Sequence, residues 1–435
     1  MKRFIEDQLI AWKGRRRRKP LILRGARQVG KSWSVADFGK RHFDRIHTVN
    51  LEKRPDWHGI FEGTLAARRI LSQLEVVLNA RIVPGKDLLF IDEIQSCPRA
   101  ILALRYFLED CPGLHVIAAG SLLEFVFKEI SFPVGRIQFL EMFPMTFAEF
   151  LLATGKDKAA GIVTAPPSLQ PESVHRMLLE ELRNYFFVGG MPESVNAYAE
   201  TGSFREAFDV HAEIVSTYRE DFSKYAPYSD KRCLNTVLSN VARSIGSQIK
   251  YTRLAEGFSV PTIKKAFELL CMARVTHKVR ACSPAGVPLE STANEKKFKA
   301  LLVDLGLMQH LSGINPDLET AQADLLGLYE GAMAEQFVGQ ELLACGQTGP
   351  YFWAREARGS MAEVDFLVTL GRTIAPIEIK SGSAGRLRSL HLLLQSYPKV
   401  RRGIVLSTAT YAELADQKLL FLPLYFAGSL LTRLQ

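Results

Sequence analysis

The sequence predicts a multidomain α/β protein headed by a parallel sheet, and three observations carry that prediction. An apolar run, Leu21 to Leu23, leads directly into Gly25-x4-Gly30-Lys31-Ser32, a buried strand feeding a glycine-containing turn and then a helix. A second buried strand, Leu88-Leu-Phe-Ile-Asp-Glu93, ends in two carboxylates. Strands alternate with helical stretches of about 10–15 residues across the first third of the chain, the pattern of a parallel sheet. At 435 residues, there is material for about three domains.

Residues 2–13 predict a short amphipathic helix with Phe4, Ile5, Leu9 and Trp12 on one side. The Gly25–Ser32 pattern is that of a phosphate-binding loop, or P-loop. Gly25 and Gly30 let the backbone close around phosphates, and Ala26, Arg27, Gln28 and Val29 complete the loop. Lys31 is placed to reach the β- and γ-phosphates of ATP, and Ser32 to offer its hydroxyl to Mg²⁺. The helix opening near Lys31 adds the positive end of its dipole and runs to about Arg41.

Ile46–Leu51 reads as a second strand, followed by a helix with Leu71, Leu74, Val77 and Leu78 on one face. In the next strand, Asp92 stands where a carboxylate would hold the Mg²⁺ shell, and Glu93 where one would activate the attacking water. Pro98 starts a helix, and His115–Ser121 is a fourth strand. Ligands of such sheets bind at the carboxyl ends of the strands, where Gly25, Asp92 and Ser121 all fall. Ser121 has two readings: a polar sensor of the γ-phosphate or water, or a cap for the helix over Leu122–Phe127.

The 47% hydrophobic content suits several cores, and no apolar run reaches the ~18–20 residues of a membrane span. The first residues lack the apolar stretch of a signal peptide, and the six scattered cysteines contain no C-x-x-C pair. A cytoplasmic protein with reduced thiols and no membrane partner is expected. The net charge of +9 permits nucleic-acid binding without establishing it. The run Arg15–Lys19 reads as a solvated loop or as a DNA-facing patch.

Gly25-Ala-Arg-Gln-Val-Gly-Lys-Ser32, Asp92-Glu-Ile-Gln95, Ala119-Gly-Ser-Leu-Leu123, Pro133-Val-Gly-Arg136 and Phe143-Pro-Met-Thr-Phe-Ala-Glu-Phe150 together resemble the prokaryotic AAA-type ATPases. Within these the chain is similar to the group carrying a C-terminal domain of unknown function, and Gly189-Gly-Met-Pro192 fits that group too. The resemblance is dense over residues 20–150 and looser beyond. It implies that Arg136 contacts nucleotide as a sensor or finger, a role suited to a planar, permanently charged guanidinium. The alternative is a structural arginine paired to a carboxylate.

Residues 154–173 read as a linker or loop. Helices follow over about Val174–Phe187 and Ser203–Phe222, broken at Gly189-Gly190, as a helical lid. Helices at Cys233–Ser244, Thr252–Gly257 and Ser259–Leu270, then an alternating strand Val275–Arg280, suggest a winged helix-turn-helix presenting Thr262, Lys264 and Lys265 to DNA. A module that only packs domains together is the other reading.

Beyond it, a long helix over Ala321–Ala344 carries Glu335, and strands Ala362–Val368 and Thr373–Lys380 carry Asp365, Glu378 and Lys380. Residues i and i+2 of a strand share a face, so Glu378 and Lys380 project together. Carboxylates and a lysine converging in this way suit Mg²⁺-dependent phosphodiester cleavage. The arrangement resembles the restriction-endonuclease-like (PD-(D/E)xK) core, with Glu335, Asp365 and Glu378 as metal ligands and Lys380 as the catalytic lysine. No proline precedes Asp365, and a salt-bridged strand pair without cleavage is the alternative.

The expected division is an ATPase core over 1–153, a helical lid over 174–230, a winged helix over 231–315 and a nuclease-like domain over 316–435. The expected function is an ATP-hydrolysing, Mg²⁺-using, DNA-bound protein. The competing expectation is an ATP-dependent switch engaging a protein partner or further copies of itself.

Overall fold

Five short strands, β1 (Leu21–Arg24), β2 (Ile46–Asn50), β3 (Leu88–Asp92), β4 (His115–Gly120) and β5 (Gln138–Glu141), lie in the order β2-β3-β4-β1-β5. All are paired in parallel. The computed structural model describes residues 1–127, 135–222, 229–314, 326–346, 349–357, 360–380 and 387–430. It falls into two units, Lys2–Phe143 and Pro144–Gln435.

In the first unit β3 and β4 are buried along their whole length, as parallel strands covered on both faces must be. The strand order has a chemical consequence. Because β4 lies between β1 and β3, the strand ends that carry the P-loop, Ser121 and Asp92 stand side by side. The first helix runs over Ile5–Lys13 and buries Ile5, Leu9 and Trp12, with the Trp12 indole donating to Lys19 O at 2.9 Å. Arg15, Arg16 and Arg17 are exposed. The helix Ala67–Leu78 buries Ala67, Ile70 and Leu74 and packs Leu71 and Leu78 against the same core, while Val77 of the expected face turns outward. The face is wider than the one expected, because Ala67 and Ile70 meet the core at i and i+3 of Leu74's stripe as well.

In the second unit the stretch read as a linker contains a helix, Asp157–Thr164, which buries Ala159, Ala160 and Val163. The Thr-Gly-Lys and Pro-Pro signals mark its two ends. Helices Glu172–Val188, Pro192–Thr201 and Phe204–Asp221 follow, the last capped by Ser203. The Gly189-Gly190 turn between the first two is sterically obligatory. A Cβ on Gly190 would stand 2.2 Å from Met145 O, and one on Gly189 would stand 2.4 Å from the Asp304 carboxylate. Asp304, fully buried, accepts from Gly190 N at 2.6 Å and caps the helix Leu305–Ser312 through Leu307 N.

Helices Lys231–Arg243 and Val260–Met272 then precede an antiparallel hairpin of β6 (Thr276–Ala281) and β7 (Asn294–Leu302). The hairpin pairs in parallel with β8 (Tyr351–Ala357) and so joins one eight-stranded sheet. That sheet continues through β9 (Ser360–Leu370), β10 (Thr373–Ile379), β11 (Gly403–Ser407), β12 (Ala412–Leu414) and β13 (Leu419–Pro423), in the order β12-β13-β11-β10-β9-β8-β6-β7.

The helix Leu326–Ala344 is tied in by a stripe of buried polar side chains. Gln336 clamps both the N–H and the C=O of Leu302 at 2.9 and 2.8 Å. Gln340 accepts from Leu305 N and donates to the Tyr185 hydroxyl, and Glu341 accepts from Phe147 N. Buried amides and carboxyls need such partners, so the helix has one register only. Residues 321–325, the expected start of this helix, and Pro133–Val134 of the Pro-Val-Gly-Arg motif lie outside the described residues.

Candidate functional site

The P-loop is built as its residue types require. Gly25 passes so close to the neighbouring strand end that a Cβ would fall 2.2 Å from Met142 O, and Gly30 caps the helix Lys31–His42 with φ 93°. Gln28 also takes a positive φ, of 64°, completing the tight curve. Lys31 is buried, and its ammonium donates to the loop carbonyls of Gly25 and Ala26 at 3.0 and 2.7 Å. The Ser32 hydroxyl donates to Asp92 Oδ1 at 2.8 Å, and the Asn50 amide donates to Oδ2 of the same carboxylate at 3.1 Å. Burial pushes the Asp92 carboxyl above its usual range, opposed by the Ser32 hydrogen bond. A hydroxyl and a carboxylate in contact beside a backbone cradle are the donor set of a nucleotide-bound Mg²⁺, so the residues fit that ion.

Three further side chains gather here. Glu93 has φ 49°, which turns it out of the strand, and its Oε2 accepts from the Gln95 amide at 2.5 Å. Gln95 in turn presses on β4, where a Cβ on Gly120 would stand 2.2 Å from Gln95 Oε1. Ser121 is buried, and its hydroxyl accepts from Arg27 Nε of the P-loop at 3.4 Å. The strand ends thus bring together Arg27, Lys31, Ser32, Asp92, Glu93 and Ser121. Sequence reasoning missed Asn50 and Gln95 as site residues. The signal for each was its position, at the end of β2 and two residues beyond Glu93.

Arg136 has a different setting. It is 53% exposed, and its guanidinium pairs with Glu109 of the helix Pro98–Asp110 at 3.4 Å. This is the carboxylate pairing weighed against the sensor role.

The C-terminal carboxylates converge, but around a lysine that the sequence did not advertise. Lys299 on β7 is 1% exposed. Its ammonium lies 3.0 Å from Glu335, 2.5 Å from Glu363 and 3.7 Å from Asp365, and 5.3 Å from the centroid of the Phe352 ring. Asp365 Oδ2 accepts from Ile379 N at 2.8 Å, and the Gln248 amide donates to Glu363 Oε2 at 2.8 Å. Lys380 donates to Glu378 Oε1 at 2.6 Å, while Glu378 Oε2 is buried without a hydrogen-bond partner among the described residues.

Burial pushes the carboxyls of Glu335 and Glu378 each up to about 7, and that of Asp365 upward too, with Lys299 pulling all three back. Glu335, Asp365 and Glu363 hold Lys299 firmly charged against its own burial. Of the expected metal ligands, Glu335 and Asp365 face the Lys299 ammonium, while Glu378 pairs with Lys380. No group of His, Cys, Asp and Glu suited to a metal ion occurs among the described residues. Glu363 shares a strand face with Asp365 at i and i+2, a signal available in the sequence. Lys299 left only a faint one, a cation within the otherwise apolar Phe298–Leu302.

Residues 17–151 match the model of a family described as an AAA domain. Residues 179–318 and 330–426 match two families described as domains of unknown function, DUF8612 and DUF4143. No curated protein matches the chain. Among solved structures, the chain is similar to a Walker-type ATPase of Pyrococcus abyssi, with 15% identity, TM-score 0.45 and coverage of 71% of this chain and 95% of that one. It is also similar to the Orc1 protein of Aeropyrum pernix in complex with DNA, with 14% identity, TM-score 0.26 and coverage of 74% and 95%. A third is the RuvB Holliday junction branch migration motor of Thermotoga maritima, with 16% identity, TM-score 0.28 and coverage of 62% and 85%. The N-terminal unit therefore carries an AAA domain, with the P-loop inside the matched residues. No helix among the described residues is long and apolar enough to cross a membrane.

Proposed function

We propose that this chain binds ATP with Mg²⁺ at Gly25–Ser32, hydrolyses it, and uses the cycle to control what its C-terminal unit binds. The contact that carries the proposal is Ser32 Oγ to Asp92 Oδ1 at 2.8 Å, beside a P-loop cradle. Lys31, now on two carbonyls, exchanges them for phosphate oxygens, which are stronger acceptors because they are charged. Ser32 and Asp92 hold the metal's shell, and the bound ion neutralises charge developing on the phosphates. Glu93 takes the proton of the attacking water, positioned by Gln95. Ser121 and Arg27 close the γ-phosphate side. Arg136 acts as finger or sensor only by giving up Glu109.

DNA is the proposed partner of the module over residues 231–315, through Thr262, Lys264 and Lys265, supported by the net charge of +9. Lys264 lies 3.7 Å from Glu268, which tempers that surface. A second reading is a switch that engages a protein partner, with a nuclease-like domain that does not cleave. It is favoured by the ammonium among the tail's carboxylates. The test is ATP turnover by wild type and Lys31→Ala, run beside Mg²⁺-dependent DNA cleavage by wild type and Asp365→Ala. Turnover confined to wild type is expected, and wild-type turnover by Lys31→Ala would refute the nucleotide assignment. Cleavage lost in Asp365→Ala would refute the second reading.

A further inference from the structure

We propose that Lys299 is a built-in counter-ion standing where a divalent metal would stand, so that the C-terminal carboxylate centre is closed to metal and held together by an ammonium. The inference rests on reading residues 316–435 as nuclease-like, and its test separates the two.

An ammonium has three N–H donors, and here it faces three carboxylates from two elements: Glu335 on the helix Leu326–Ala344, and Glu363 and Asp365 on β9. The distances, 2.5 to 3.7 Å, are those of ion pairs. A Mg²⁺ would need the same oxygens at about 2.1 Å, in the space the nitrogen fills. A nitrogen and a metal ion cannot occupy that one space, so a metal could enter only if the ammonium left.

Much of the remaining oxygen capacity is committed as well. Asp365 Oδ2 is taken by Ile379 N, Glu363 Oε2 by Gln248 and Glu378 Oε1 by Lys380. Nor can Lys299 leave readily. It is 1% exposed on a β-strand whose neighbours Phe298 and Ala300 are also buried, and the Phe352 ring lies 5.3 Å away. A buried lysine moved to any other apolar surrounding would lose three charged partners at once. The ammonium therefore does a metal's structural task, drawing helix and strands to one point. It lacks a metal's chemistry, having no open coordination position for water. Glu378 Oε2 is a leftover acceptor at the edge of the centre, and one oxygen is too few to hold an ion.

The test is a titration of the full-length, nucleotide-free chain with Mn²⁺, counting bound ions by electron paramagnetic resonance. Wild type and Asp365→Asn should bind equally. Lys299→Met should bind one ion more than wild type, and adding Asp365→Asn to it should remove that ion. An Asp365-dependent ion on wild type overturns the inference while sustaining a metal-using nuclease-like centre. A folded Lys299→Met without the extra ion overturns both. Should Lys299→Met not fold, Lys299→Met/Glu335→Gln, which removes a negative charge with the positive one, takes its place in the titration: an extra ion supports the inference, and its absence overturns it. Failure of that variant to fold even in Mn²⁺ also overturns the inference, since charge balance would not be what Lys299 supplies.

Discussion

The two units each hold a lysine beside carboxylates at the ends or edges of strands, and the lysines are partnered in opposite ways. Lys31 is satisfied by neutral carbonyls, and Asp92 by a hydroxyl and an amide. Those partners are neutral groups that an entering phosphate or divalent cation can displace. Lys299 is matched by Glu335, Glu363 and Asp365, and Lys380 by Glu378. There the ammonium groups meet carboxylates directly, two lysines against four carboxyl groups. A reactive site holds its charges with neutral groups that a ligand can displace, whereas a structural centre pairs them with each other.

The largest effect that would sharpen this contrast is at the P-loop. Lys31→Ala should abolish tight ATP binding, measured by isothermal titration. Glu93→Gln should bind ATP yet turn it over at least ~100-fold more slowly, the scale of losing a positioned base. Glu93→Gln at wild-type rate would remove the base from the N-terminal site. Next is the other lysine. Lys299→Ala strips the counter-ion from buried carboxylates and should cost about 3–5 kcal/mol of stability in urea unfolding. Nucleotide affinity should be untouched. A loss below ~1 kcal/mol, the worth of a surface pair, would show that the tail's charges are not truly buried.

Smaller is Gln95→Ala, which frees Glu93 without removing it. Turnover should fall by roughly 10-fold or more with ATP affinity retained, the signature of lost positioning. Equal losses in affinity and rate would mean that Gln95 only supports the fold through Gly120.

The gentlest test is pH. Burial raises Glu341 to about 8, and Glu335 and Glu378 to about 7. A carboxyl whose folded value lies above its unfolded one stabilises at low pH and loses that contribution as pH rises through the folded value. The buried histidines His211 and His277, depressed to about 4, act oppositely, but only below about 6.5. Between pH 6.5 and 8 the carboxyls therefore stand alone, and stability should fall with rising pH by up to ~1.4 kcal/mol per unit for each titrating group. Glu341→Gln should flatten this slope, because its amide can still accept from Phe147 N. An unchanged slope in that variant would assign the titration elsewhere.

The N-terminal unit was largely legible in the sequence because its information is local. A strand, a loop of set length and a helix start place Gly25, Lys31 and Ser32 within eight residues, and a parallel sheet puts every strand end on one edge. Even there, the strand order that seats Ser121 between Gly25 and Asp92 came only from the fold, as did the outward turn of Glu93 toward Gln95.

The C-terminal centre was half legible. Strand alternation put Glu378 beside Lys380, where the two are in contact, and the helix carboxylate Glu335 does reach the cluster. What decided the chemistry was Lys299, 36 residues before Glu335 on a hairpin assigned by pattern to a different module. No spacing rule links them, because they meet only when β6 pairs with β8 and carries β7 into the same sheet. Residue types and their local spacing determined which groups this protein owns. Whether a carboxylate faces a metal or an ammonium is a matter of long-range packing, because a buried charge is governed by the few ångströms around it and not by its neighbours in the chain.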